Sequence, residues 1–231
     1  MNSYKELKEK AYEANLELVK RDLVVYTFGN VSASDNSKGV FAIKPSGVSY
    51  GKLKAGDMVV VDFDNNVVEG KLKPSSDTRT HSVLYKNFSG IGGIAHTHSA
   101  YATAWAQAVK PIPILGTTHA DLLPREVPCT KVMDDAQIQG DYEEATGNQI
   151  IEVFKKISFE DIKMVLVACH GPFTWGATAE EAVYNSVMLE ELAKTAFLTL
   201  KINPQITPLK EALIKKHYDR KHGGGSYYGQ G

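Results

Sequence analysis

The feature that most limits the fold is a short hairpin signal in the N-terminal half of the chain. Two valine-containing apolar runs, at residues 58–62 and 67–68, flank the turn-forming segment Asp64-Asn65-Asn66. Turn residues between two such runs predict a pair of antiparallel strands. An all-parallel sheet does not accommodate this hairpin. We therefore predict an α/β fold of three layers, in which helices flank a central mixed, largely antiparallel sheet.

Hydrophobic periodicity predicts the other elements. Helical stretches show apolar residues at three- and four-residue spacing, and strands appear as short apolar runs bounded by turn-forming residues. Helices are predicted at residues 3–21, 78–88, 99–109, 141–157, 179–200 and 206–221. Further strands are predicted at residues 23–28, 40–43, 92–96 and 164–169. Because the sequence contains no internal repeat and no linker, we expect residues 1–231 to form a single domain.

The composition argues against several classes of protein. The formal net charge of −1 is unlike the basic excess of nucleic-acid-binding proteins. The N-terminus lacks the pattern of a signal peptide, and the apolar runs are too short to cross a bilayer. Two cysteines are too few for a disulfide framework, and Cys169, at the end of an apolar run, is predicted to be a buried, reduced thiol. We expect a cytoplasmic protein with no nucleic-acid or membrane partner.

The histidines give the first indication of chemistry. In His96-Thr97-His98 the two imidazoles are two residues apart, so on an extended chain they face the same side and can reach one ion at about 2 Å. Taken alone, this pattern more often marks ordinary histidines than a metal site. His170 strengthens the case because it ends its own predicted strand, as His96 does. Three histidines with an open fourth position are typical of a catalytic metal site.

A carboxylate could complete this set of ligands. Asp77 stands directly before a predicted helix and is the candidate. Taken alone, an acid at that position is better explained as a capping residue or as a favourable charge at the helix N-terminus. Both interpretations of Asp77 stay open at this point.

Six short motifs resemble, in register, those of the class II aldolase family. They are Gly29-Asn30-Val31-Ser32, Lys44-Pro45-Ser46-Gly47-Val48, Pro74-Ser75-Ser76-Asp77, Gly93-Ile94-Ala95-His96-Thr97-His98, Gly116-Thr117-Thr118-His119-Ala120-Asp121 and His170-Gly171-Pro172. The C-terminal segments at residues 217–222 and 227–230 are similar to the epimerase branch in particular. The resemblance extends from about residue 5 to the end of the chain.

The resemblance implies a role for each matching residue. It implies that the metal ligands are Asp77, His96, His98 and His170, and that the acid–base groups are Asp121 and Tyr228. It implies phosphate-binding segments at Gly29, Asn30, Ser46, Gly47, Ser75 and Ser76, to which Lys44 could add a positive charge. The expected cofactor is Zn²⁺, although Mn²⁺ or Co²⁺ would suit the same ligands. The family also implies a homotetramer with active sites at subunit interfaces, to which a tail of about residues 222–231 contributes.

The implied reaction is an epimerisation of a phosphorylated ketopentose. The C–H bond to be inverted is not next to a carbonyl, so its proton is not acidic. The epimerase branch instead breaks the C3–C4 bond in a retro-aldol step, turns the aldehyde fragment and rejoins it, which interconverts L-ribulose 5-phosphate and D-xylulose 5-phosphate. Two acid–base groups, one for each face of the aldehyde, serve this route. Without the resemblance, Asp121 would be interpreted as a turn or cap residue and Tyr228 as an ordinary aromatic residue.

Three alternatives remain on the same scaffold. The first is a sugar-phosphate aldolase of the fuculose or rhamnulose type. The aldolase branch typically has glutamate where this chain has Asp77, which favours the epimerase. The second is a dehydratase. The third is a non-catalytic binding module, which would be expected to have lost metal ligands that are all present here.

Overall fold

The structure is a computed structural model that describes residues 4–223. The helices are α1 Lys5–Lys20, α2 Thr78–Asn87, α3 Ala100–Gln107, α4 Thr117–Leu122, α5 Asp135–Gln139, α6 Tyr142–Phe154, α7 Ala179–Ile202 and α8 Glu211–His222. The strands are β1 Asn30–Asp35, β2 Val40–Ile43, β3 Val59–Asp62, β4 Val67–Glu69, β5 Gly93–His96, β6 Met164–Val167 and β7 Gly171–Gly176. Short 3₁₀ helices occupy Tyr50–Lys52 and Ala55–Asp57.

The strands form one sheet in the order β4-β3-β2-β1-β5-β7-β6. Each neighbouring pair is antiparallel, and the predicted hairpin is the β3–β4 pair, with Val61 opposite Val67. An isolated parallel bridge joins Cys129 to Leu166. The prediction of a largely antiparallel central sheet flanked by helices is therefore confirmed. No helix within residues 4–223 is both long enough and apolar enough to cross a bilayer.

Apolar residues on the two faces of the sheet build two cores. On one face, Phe41 and Trp175 from the sheet pack in one cluster with Leu84 of α2 and Ile150 of α6. On the other face, α1 and the first turns of α7 bury small residues against the strands. The alternation of side chains along each strand supplies both cores, because successive residues point to opposite faces.

The register of the central strands determines where the site residues lie. Asn30 of β1 is opposite His96 of β5, and Phe173 of β7 is opposite His96 on the other side. Strands β5 and β6 run in the same direction, and β7 lies between them. His170 is in the tight turn from β6 to β7 and so returns to the same end of the sheet as His96.

Two strand predictions need correction. Residues 23–28 do not form a strand, because Tyr26 has φ 54° and is 85% exposed, and the strand begins instead at Asn30. Strand β7 was not predicted, since Gly171-Pro172 has the composition of a turn.

Cys169 is a free thiol as predicted, but it is exposed and not buried because it lies in the β6–β7 turn. The last helix begins at Glu211, later than residue 206.

A glycine allows helix α7 to approach the central strand closely. A Cβ atom at Gly93 would lie 2.5 Å from both the Ala179 nitrogen and the Thr178 oxygen, which are backbone atoms at the start of α7. Backbone atoms in a packed core cannot move away without shifting the helix. Residue 93 must therefore lack a side chain for β5 and α7 to keep their present distance.

We predict that Gly93→Ala lowers the free energy of unfolding by about 3 kcal/mol, because the added methyl group overpacks this contact. Urea unfolding followed by circular dichroism measures the effect. Gly56→Ala is the matched control, since a Cβ atom at Gly56 meets no heavy atom within 4 Å. A Gly93→Ala protein as stable as the Gly56→Ala protein would show that α7 is not held at this distance.

Candidate active site

A cavity of about 410 Å³ opens at the end of the sheet where β1 begins and β5 ends. All seven residues predicted to bind substrate and all four predicted to bind the metal line this cavity. Thr27, Phe28 and Pro45 complete its lining. Segments that are up to 141 residues apart in the sequence, from Gly29 to His170, thus meet in one place.

Three histidines form a compact group on one wall of the cavity. The ring nitrogens of His96, His98 and His170 that face the group lie within 4.8 Å of one another. The Nε2 atoms of His96 and His98 are 3.1 Å apart. The Nδ1–H of His96 donates a hydrogen bond to the Pro172 carbonyl oxygen at 2.9 Å, which leaves the Nε2 lone pair directed into the group.

Burial favours the neutral form of two of these rings, His98 and His170. It lowers the pKa of His98, and it lowers the pKa of His170 to about 4, with the neighbouring histidines adding to the effect. At neutral pH both rings therefore carry a free lone pair, which is the form that binds a metal ion. The Tyr142 hydroxyl lies 3.3 Å from Nδ1 of His170 and so orients that ring from behind.

Asp77 faces the cavity and does not cap its own helix. It is the residue before α2, yet its side chain makes no capping hydrogen bond. Its Oδ2 instead accepts a hydrogen bond from Asn30 Nδ2 at 2.6 Å. Burial opposes ionisation of this carboxyl, but the hydrogen bond from the Asn30 amide helps to hold its pKa below the usual range. An ionised carboxylate beside the free lone pairs of His98 and His170 attracts a cation.

These donors fit a divalent transition metal. Two of the three imidazoles are held by hydrogen bonds to their other ring nitrogen, which is the usual support of a metal-binding histidine. The Asp77 carboxylate lies outside the compact histidine group but lines the same cavity. A mixed nitrogen and oxygen set of this kind suits zinc, manganese or cobalt.

A second wall of the cavity consists of two loops joined by backbone hydrogen bonds. The Ser46 N–H donates to the Lys73 carbonyl at 2.9 Å, and the Ser75 N–H donates to the Lys44 carbonyl at 3.0 Å. The N–H groups of Gly47 and Ser76 have no hydrogen-bond partner among the described residues. Adjacent loops with free N–H groups and serine hydroxyls can bind an oxyanion.

A buried polar chain lies beneath the site, and sequence reasoning missed it. Ser32 Oγ lies 2.7 Å from both His81 Nδ1 and the Tyr85 hydroxyl, and all three side chains are buried. Burial lowers the pKa of His81 to about 3, so this ring is neutral. His81 follows Asp77 by four residues, which places the two on one face of α2. This four-residue spacing from Asp77 is the feature of the sequence that could have placed His81 near the site.

The structure does not bring Asp121 into the cavity of its own chain. Asp121 is on α4, is 15% exposed, and accepts hydrogen bonds from the Arg220 guanidinium at 2.9 and 2.6 Å. His217 Nδ1 also lies 2.9 Å from its Oδ1. Partial burial opposes ionisation, but these two partners from α8 hold the pKa of Asp121 below its usual range. The predicted acid–base residue Tyr228 is outside the described residues.

Comparison with known proteins decides the family. The model of the class II aldolase and adducin N-terminal domain matches residues 9–197. The chain belongs to the class II aldolase family. Among its relatives, the L-ribulose-5-phosphate 4-epimerase UlaF of Salmonella typhi is 48% identical over 224 residues, which cover 97% of this chain and 98% of that protein. The corresponding protein of Salmonella choleraesuis is 49% identical with the same coverage.

Solved structures of the family share the fold. An L-fuculose 1-phosphate aldolase superposes with a TM-score of 0.79 at 26% identity, covering 93% of this chain and 95% of that one. A Thermus thermophilus L-fuculose-1-phosphate aldolase gives a TM-score of 0.67 at 22% identity, covering 89% of this chain and 100% of that one, and supports the fold alone. The chain is accordingly an enzyme of the epimerase and aldolase kind.

We predict that the buried His81 makes the protein less stable in acid. Its unfolded pKa is about 6.5 and its folded pKa is about 3, so only the unfolded chain takes up the proton in between. Stability is therefore lost as the pH falls from about 6.5 towards 3, by about 1.4 kcal/mol per pH unit for this one group. Above pH 6.5 the residue makes no such contribution.

Urea unfolding of the metal-free wild type and of His81→Gln at several pH values measures this effect. Glutamine has no titratable group, so the stability of the variant should fall less steeply on acidification, whatever its stability at pH 7. Parallel pH profiles for the two proteins would contradict the prediction.

Proposed function

We propose that the protein is a metal-dependent epimerase that interconverts L-ribulose 5-phosphate and D-xylulose 5-phosphate by breaking and remaking the C3–C4 bond. One observation carries the proposal: a single cavity combines a group of three histidines with loop N–H groups and serine hydroxyls that are suited to an oxyanion. Relatives about 48% identical that bear the name of this epimerase support the choice of substrate. We also propose that residues 1–231 form one domain and that the enzyme is cytoplasmic.

The metal ion is proposed to be zinc, with manganese or cobalt as substitutes. His96, His98 and His170 would hold it, and Asp77 would provide the fourth ligand. When bound, the ion supplies a Lewis acid for the negative charge that cleavage leaves on the ketose fragment. The protein contributes the pre-arranged imidazoles, whose neutrality leaves the charge of a bound cation largely uncancelled. Asn30 fixes the Asp77 carboxylate by the 2.6 Å hydrogen bond.

The second wall, together with the adjoining Gly29-Asn30 segment, is proposed to hold the substrate phosphate. Its donors would be the free N–H groups of Gly47 and Ser76, the hydroxyls of Ser46 and Ser75, the Asn30 amide and the Lys44 ammonium. A phosphate held this way anchors the aldehyde fragment after the bond breaks. The fragment can then turn about its remaining bonds and present its other face without leaving the cavity, which distinguishes an epimerase from an aldolase.

Proton transfer is proposed to involve Asp121 and Tyr228. Because Asp121 does not line the cavity of its own chain, we propose that it serves the cavity of a neighbouring subunit in a homotetramer. The tail of about residues 222–231, which contains Tyr228, would contribute to the same shared site. The partners of Asp121, Arg220 and His217, keep its carboxylate ionised and oriented, and an ionised carboxylate can accept a proton.

The decisive experiment is zinc-reconstituted turnover of L-ribulose 5-phosphate, in which D-xylulose 5-phosphate and free glycolaldehyde phosphate are followed together. Epimer formed with little free aldehyde supports the proposal. His98→Ala should reduce kcat/KM more than about a hundredfold, because it removes a direct ligand. The variant should also bind less zinc at an unchanged melting temperature in metal-free buffer.

Two outcomes would overturn this proposal. One is full activity and full zinc content in His98→Ala, which would refute the ligand assignment. The other is aldehyde release from a ketose 1-phosphate without epimer formation, which would identify an aldolase.

We predict that Asp121→Asn reduces kcat about a hundredfold or more and leaves the zinc content unchanged, because the amide cannot accept a proton. Metal analysis and steady-state kinetics measure both quantities. A loss of zinc in this variant would show that the residue supports the metal site instead.

Mixing the two inactive variants tests the shared site. If each cavity combines the histidines of one chain with Asp121 of another, unfolding and refolding His98→Ala together with Asp121→Asn should restore part of the activity. Mixed tetramers then contain some cavities with neither substitution. No recovery in demonstrably mixed oligomers would contradict a site built from two chains.

A further inference from the structure

Tyr50 contacts two segments of the cavity lining at once, Gly29 and Lys44. It is on the 3₁₀ helix Tyr50–Lys52 and is 7% exposed. Its hydroxyl donates a hydrogen bond to the Gly29 carbonyl at 2.8 Å, and the Phe28 carbonyl is a more distant acceptor at 3.4 Å. The ammonium nitrogen of Lys44 lies 4.9 Å from the centroid of its ring. Tyr50 itself is not part of the cavity lining.

The Lys44 side chain is a buried cation without an ion-pair partner among the described residues. The residue is 2% exposed, and its Nζ makes only a long hydrogen bond, 3.4 Å, to the carbonyl of the adjacent Pro45. No carboxylate of the described residues forms an ion pair with it. Burial lowers its pKa, which is the expected result when a cation lacks a partner. The electron-rich face of the Tyr50 ring partly compensates for the ion pair that this ammonium lacks.

The Tyr50 hydroxyl contacts the loop at Gly29, whose backbone is already tightly packed. Gly29 has φ +83°, and a Cβ atom there would lie 2.9 Å from the His96 carbonyl oxygen. The backbone of Gly29 therefore packs directly on the end of β5. Burial raises the pKa of the Tyr50 hydroxyl, with the Asp77 carboxylate adding to the effect, so the hydroxyl stays protonated and remains a donor. This hydrogen bond holds Gly29 and Asn30 in place from behind.

We infer that Tyr50 is a positioning residue for the substrate phosphate: its ring holds the Lys44 ammonium, and its hydroxyl holds the Gly29-Asn30 segment, in the lining of the same cavity. The inference rests on the proposed function, because it assigns the phosphate to these segments. Tyr50 touches neither the phosphate nor the reacting atoms. It acts through the two segments that do.

A residue that serves only the core would change stability without a selective effect on anion binding. A positioning residue for the phosphate changes the KM for the sugar phosphate and the inhibition constant of inorganic phosphate together, and it leaves kcat nearly unchanged. Inorganic phosphate is therefore the probe, as a competitive inhibitor of turnover by the zinc-loaded enzyme.

Two substitutions separate the two contacts. Tyr50→Phe removes the hydroxyl and keeps the ring, so we expect the KM and the phosphate inhibition constant to rise about threefold to tenfold, as for one lost hydrogen bond. Tyr50→Leu also removes the ring face, so we expect a further rise of about threefold to tenfold. For both variants kcat should stay within about twofold of the wild type. Tyr184→Phe is the matched control, because Tyr184 is 55% exposed on α7.

A double-mutant cycle with Lys44→Met completes the test. If the ring acts through Lys44, the additional effect of Tyr50→Leu over Tyr50→Phe should disappear when residue 44 is methionine. Tyr50→Phe preserves the core packing, so it decides the hydroxyl contact even if Tyr50→Leu does not fold.

The outcomes distinguish this inference from the proposed function. If Lys44→Met weakens phosphate inhibition but neither Tyr50 variant does, the inference about Tyr50 is wrong and the phosphate site stands. Equal effects of Tyr50→Leu with and without Lys44 would refute the ring contact. If Lys44→Met leaves phosphate inhibition unchanged, the phosphate site itself is misplaced, and the role of Tyr50 fails with it.

Discussion

The site depends on how β5 is paired on its two sides. Pairing with β1 places Asn30 beside His96, and pairing with β7 stacks the Phe173 ring on the His96 imidazole at 4.1 Å between centroids. The same strand β7 supplies the Pro172 carbonyl that determines which nitrogen of His96 carries the proton. A register slip of one residue would turn His96 to the opposite face of the sheet, against α1 and α7. The close approach of α7 to Gly93 leaves little room for such a slip.

Burial acts on the two walls of the cavity in opposite ways. On the histidine wall it removes protons, so that His98 and His170 keep free lone pairs. On the second wall it holds the Lys44 ammonium against the Tyr50 ring, without an ion-pair partner among the described residues. One wall would thus suit a cation and the other an anion. A phosphorylated sugar that also chelates a metal ion would satisfy both at once.

Local patterns predicted most of the fold and the three histidines of the cavity, whereas the resemblance to the family implied the other cavity residues. The hairpin, the helices and His96-Thr97-His98 depend on spacings within a few residues, and such spacings are visible in one sequence. Strand β1 was missed because its polar residue Ser32 is buried through contacts with His81 and Tyr85, about 50 positions away. The pairing of Asp121 with Arg220 and the position of Tyr50 over Lys44 are likewise contacts between distant segments. Contacts between distant segments leave no regular spacing of residues in the sequence, so only the folded chain shows them.

The buried ammonium of Lys44 has a consequence for the stability of the protein. A buried cation with no ion-pair partner opposes folding, and a hydrophobic side chain of similar length would be tolerated better in the same place. If the cavity binds an anion beside Lys44, the free protein would be less stable than its fold permits, and the bound anion would offset that cost. Part of the affinity for the anion would then be relief of an unfavourable charge in the empty protein.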